Sequence, residues 1–87
     1  MADIIVAFPR IEDAKNLRRL LIRNGYEVNA ICDSGAEVME AVNRLDGGVV
    51  ISGYRFSDMY FVELNEYLPR GFQLLLLRLR GNWRRAM

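Results

Sequence analysis

"VVISGYRFSDMYFVEL", residues 49–64, sets the reading of the whole chain. Val49, Val50 and Ile51 form a continuous β-branched run, the pattern of a strand buried on both faces, and Ser52-Gly53 ends it. Tyr54 and Arg55 open a loop. Ser57 or Asp58 stands where a cap is wanted for a helix whose apolar positions are Phe61, Leu64 and Leu68, stopped by Pro69 and Gly71. A buried strand that hands its C-terminal end to a loop and then to a helix is the unit of a parallel α/β sheet.

The same unit repeats on either side. "IIVAF" (4–8) is a first apolar strand, ended by Pro9, which has no N–H to give a ladder. Ile11, Ala14, Leu17, Leu20 and Leu21 then fall at helical spacing, with Glu12 and Asp13 in the first turn, Arg23 in the last, and Asn24-Gly25 as the stop. "YEVNAIC" (26–32) alternates weakly and reads as a second strand, at an edge. Ser34 and Glu37 fit a capping box, in which Glu37 reaches back to the Ser34 N–H. Val38, Ala41, Val42 and Leu45 give that helix its buried stripe, and Gly47-Gly48 ends it. "FQLLLLRL" (72–79) reads as a fourth strand, by its position more than its composition. The order βαβαβαβ predicts a parallel sheet with right-handed crossovers.

Composition bounds the chemistry. Hydrophobic residues make up 52% of the 87 residues, enough for one small folded domain and no more. Residues 1–77 carry eight basic and eleven acidic groups, net −3, whereas residues 78–87 carry Arg78, Arg80, Arg84 and Arg85 with no acid, net +4. The division is therefore a body, 1–77, and a basic tail, 78–87. With no histidine and a single cysteine, Cys32, the chain offers no Ser-His or Cys-His pair, no intramolecular disulfide and no zinc ligand set. We expect no metal and no cofactor. No signal peptide is legible, and "FQLLLL" is too short to span a bilayer, so a cytoplasmic protein with no membrane contact is expected.

Beyond the pattern, residues 3–77 resemble the receiver domain of bacterial two-component response regulators, the CheY-like, flavodoxin-like fold. "LRRLLIRNGYEV" looks like the receiver's first helix running into its second strand. "VVISGYRFSDMYFVEL" looks like the strand that ends in the family's phosphoacceptor Asp, followed by a loop and a helix. The resemblance places Gly53 at the acceptor position, Ser57 at the family's Pro, and Met59, Tyr60 and Phe61 at its Met-Asp-Gly turn. It places Phe8 and Pro9 where two acidic residues would bind Mg²⁺, and Arg78 where a switch Thr or Ser would follow the fourth strand. The fifth strand, with its Lys, has no counterpart. A hard cation needs carboxylate oxygens, and aspartyl-phosphate chemistry needs the Asp. The resemblance therefore implies a degenerate receiver, shortened at its C-terminal side to four strands and three helices, that is not an enzyme.

Three features remain. The open end of the sheet, where strand order would reverse between the first and third strands, is where ligands bind in doubly wound folds. Arg10 and Arg55 there offer an anion contact; the reading we favour is that Phe8 and Tyr54 plug the pocket and both arginines are solvated. The tail "RLRGNWRR" carries arginine and tryptophan suited to nucleic acid, although a solubilising end explains it more simply. In the family's strand order the fourth strand lies at an edge, with Leu74, Leu75, Leu76 and Leu77 apolar and unpaired, and the sheet face beside the first helix is left partly open. Such edges pair with other chains. The expected function is a non-phosphorylatable receiver-like module acting through protein contact, as a homodimer through Leu74–Leu77 or with a regulatory protein partner, in signalling or transcription control. The alternatives are a phosphoacceptor using a displaced acid such as Asp58, Glu12 or Asp13, and nucleic-acid binding through the tail.

Overall fold

A computed structural model describes residues 3–78 of the protein. Four strands, β1 (Asp3–Ala7), β2 (Ala30–Cys32), β3 (Gly48–Ser52) and β4 (Phe72–Leu76), alternate with three helices, α1 (Ile11–Arg23), α2 (Gly35–Val42) and α3 (Phe61–Tyr67). The strands form one all-parallel sheet in the order β2-β1-β3-β4. Strand order thus reverses between β1 and β3, as in a doubly wound fold. Asp3 is level with Gly48 and Phe72 at one end, and Ala7 with Ser52 and Leu76 at the other.

The central strand β1 is apolar from Ile4 to Ala7 because both of its faces are covered. On one face Ile5, Ala7 and Val50 pack against Val38, Ala41 and Val42 of α2 and Leu64 of α3. On the other, Val6 and Phe8 meet Ala14 and Leu17 of α1. Ile5, Val6, Val38, Val42, Val50 and Leu64 are fully buried. Gly48, with φ 151°, lets β3 start hard against β1, since a Cβ there would collide with the Asp3 carbonyl oxygen.

The element order follows the sequence reading, with four differences. The second strand is Ala30–Cys32, not residues 26–32. The chain joins the sheet only at Asn29, whose N–H donates to the Ile4 carbonyl (2.7 Å) and whose Oδ1 accepts from the Ile4 N–H (3.0 Å), so the segment before it is a connection. In the α2 capping box Ser34 Oγ accepts from the Glu37 N–H (3.2 Å), but Glu37 Oε1 accepts from the Asp33 N–H (2.8 Å) rather than from Ser34. The α3 cap is Tyr60, not Ser57 or Asp58, and its N–H donates to Glu63 Oε1 (3.2 Å). Finally, β4 ends at Leu76, although the Leu77 N–H still donates to the Ser52 carbonyl (2.9 Å). Of the basic tail, only Arg78 falls within the described residues.

Candidate functional site

Parallel packing brings the C-terminal ends of β1 and β3 side by side, and the residues singled out in the sequence gather there. Phe8 continues β1, its N–H donating to the Cys32 carbonyl (3.1 Å), and its ring is buried. Gly53 continues β3, its N–H donating to the Ala7 carbonyl (3.1 Å). A Cβ placed on Gly53 would lie 3.2 Å from Phe8 Cδ1 and 3.5 Å from Pro9 Cδ. The phenylalanine and the proline thus wall the position at which the resemblance implies a carboxylate. Neighbouring Ser52 is buried and donates its hydroxyl proton to the Gly53 carbonyl (2.5 Å), so its donor is engaged with the backbone and its oxygen is shut off from solvent.

The other residues lie further out. Tyr54 does not plug the site: it is 43% exposed, with its ring 5.5 Å from that of Phe61 and the Arg78 guanidinium 5.8 Å from its centroid. Arg10 precedes α1 as its N-cap and is exposed; Arg55 is exposed in a short bridge with Tyr60. The two arginines do not converge. Arg55 lines a surface cleft of about 590 Å³ with Pro9, Asp58, Tyr60 and Glu63, whereas Arg10 is not part of that lining. One cation with two carboxylates is a poor cradle for an anion.

Asp58 is the residue that sequence reasoning misplaced. Its Oδ1 accepts from the Gly35 N–H (2.9 Å) and its Oδ2 from the Ala36 N–H (3.0 Å), so the β3–α3 loop is fastened to the N-terminus of α2. The Gly35 hydrogen bond, opposed by partial desolvation and reinforced by Ala36, holds the Asp58 carboxyl below its ordinary value. A carboxylate at a helix N-terminus also complements the helix dipole. Both oxygens are therefore committed. The signal in the sequence was present, an acid in a loop and a helix start at Ser34-Gly35, but nothing local joins residues 23 positions apart.

The Mg²⁺ of active receivers does not fit this end of the sheet. Phe8, Pro9 and Gly53 carry no side-chain oxygen, and among the described residues no three His, Cys, Asp or Glu side chains cluster to hold a metal. Cys32, at the end of β2, is buried; burial first, then the Glu37 and Asp33 charges, push its thiol up to about 11.

The leucines of the fourth strand divide by face. Leu74 packs half-buried against the α2/α3 core, while Leu75, Leu76 and Leu77 are exposed. Among the described residues β4 pairs with β3 alone, so its other edge is open. No described helix is long and apolar enough to cross a membrane. No family model, no curated protein and no solved structure matches the chain.

Proposed function

We propose that this chain is a receiver-like domain of flavodoxin-like, CheY-like fold that does not take up phosphate and is not an enzyme. It works in the cytoplasm, in signalling or transcription-associated regulation, by protein–protein contact, as a homodimer joined along β4. The observation that carries the reading is at Gly53. The acceptor position is side-chain-free and walled by the Phe8 ring and Pro9, and the nearest loop acid, Asp58, has both oxygens on backbone N–H groups. Carboxylates are missing from the acceptor position and from the two metal-ligand positions that the resemblance implies, while the strand order β2-β1-β3-β4 and the alternation of strands and helices support the fold it implies. The displaced-acid alternative would have to break the Asp58 clasp before that carboxylate could attack.

The contact surface follows from alternation along β4. Gly71 and Leu77 bond toward β3, through the Gly48 N–H to the Gly71 carbonyl (3.0 Å) and the Leu77 N–H to the Ser52 carbonyl. Backbone groups alternate sides along a strand, so those of Leu74 and Leu76 face the open edge. Residues 72–77 contain no charge and no proline, the devices that normally keep an edge from pairing. A second copy's β4, run antiparallel, satisfies both edges at once by an isologous contact.

The test of silence is chemical. The protein is incubated with Mg²⁺ and a small acyl-phosphate donor, and intact mass is read over time. No phosphoryl mass gain is expected; a Mg²⁺-dependent gain that disappears in Asp58→Asn would overturn the reading.

A further inference from the structure

Among the described residues, one face of the sheet is only half covered. Helix α1 lies over β1 and β2, while on the same face β3 and β4 present Val49, Ile51 and Leu75 with no described helix above them. An all-parallel sheet ordinarily has helices over both faces. Between the bare strands and Leu21 of α1 runs a groove of about 560 Å³, floored by Ile4, Val49, Ile51 and Leu75. Leu75 is 54% exposed. Asp3 and Glu27 line the same groove, and no lysine or arginine does. Both acids lie at the end of the sheet where β1 begins. Asp3 is level with Gly48, and Glu27 shortly precedes Asn29, which bonds to Ile4.

We propose that this groove docks an amphipathic α-helix of a partner protein, apolar along one stripe and carrying Lys or Arg beside Asp3 and Glu27. The dimensions suit one helix. Strands lie about 4.8 Å apart, so β3 and β4 together span about 10 Å, the width of a helix with its side chains. Each of the two strands has 5 residues. At about 3.3 Å per residue that is about 16 Å, which a helix of about eleven residues covers. Such a helix sets its apolar side chains, at i, i+3, i+4 and i+7, on the floor of leucine, isoleucine and valine. The charges choose the partner. Two carboxylates with no cation in the lining repel nucleic acid and anionic lipid and attract a basic flank. The floor belongs to the sheet face, whereas the proposed dimer pairs through the edge of β4. Docking therefore goes beyond the dimer and does not require it.

The test is a displayed library of helices of about fourteen residues, with leucine fixed at i, i+3, i+4 and i+7 and the flanks randomised. It is selected on the full-length protein and counter-selected on Leu75→Asp. We expect binders enriched in Lys and Arg. In fluorescence anisotropy a selected peptide should lose at least about tenfold in affinity on Leu75→Asp. It should lose about tenfold on Asp3→Lys/Glu27→Lys, which a twin peptide with Glu at the flanks should bind instead. Far-UV circular dichroism should be unchanged in Leu75→Asp, because Leu75 is already exposed. Leu76→Lys, where edge pairing is blocked, should bind the peptide as wild type does; this separates docking from the dimer. No enrichment on the full-length protein would overturn the proposal and leave the groove to the chain itself or to a second copy. Binders with acidic flanks, or binding that survives Leu75→Asp, would also overturn it.

Discussion

Gly53 carries no side chain, and the residues around it have closed on the space. The Phe8 ring is buried, so it has little room to yield to the Cβ contact of 3.2 Å. Gly53→Ala stiffens the unfolded chain, a gain of about 0.4–1 kcal/mol. Overpacking a closed site costs roughly 1–3 kcal/mol, so the cost wins. We predict a net loss of about 1 kcal/mol in urea unfolding, and that Gly53→Asp loses at least as much without acquiring phosphate. Asp58 makes a pH-dependent contribution. Its folded carboxyl is held below the unfolded value, here 3.8, so its stabilisation is fully present above that value and is lost as pH falls below it. Asp58→Ala should therefore cost stability at neutral pH, by about 1 kcal/mol as for a lost helix cap, and the difference from wild type should shrink in acid. The Cys32 thiol, buried and pushed up to about 11, should resist iodoacetamide at pH 8 and react on unfolding in urea; rapid labelling of the folded protein would contradict its burial.

The elements were legible where periodicity was local, and their ends were not. Val49–Ile51 between Gly47-Gly48 and Ser52-Gly53 fixed β3, and Ala14 and Leu17 at helical spacing fixed the inner face of α1. The second strand was read four residues too long because "YEVN" has strand-like alternation, whereas the ladder to β1 begins only after Asn29. The α3 cap was misread because an acid before a helix looks like a local cap, and Asp58 instead serves the N-terminus of α2, 22–23 residues away in sequence. The parallel register sets Phe8 and Pro9 beside Gly53, while Tyr54 and the two arginines diverge because side-chain direction in loops is not written in spacing. Leu64 is the fully buried anchor of α3, so Leu64→Ala should destabilise by about 2–5 kcal/mol through lost burial and a cavity against Val50 and Phe56. A smaller loss would mean that α3 contributes little to the core.

At the scale of the whole molecule, the four strands among the described residues leave β4 as an edge, where the backbone groups of Leu74 and Leu76 have no described partner and Leu75, Leu76 and Leu77 are exposed. Symmetric edge pairing alone joins short strands. The Leu76→Lys charge should therefore abolish it without unfolding the domain, because Leu76 is partly exposed already. The most direct test is molar mass by light scattering behind size exclusion, over a range of concentrations, for wild type and Leu76→Lys. We predict a dimer for the wild type and a folded monomer for the variant. A wild type that stays monomeric at every concentration would contradict contact between copies through β4.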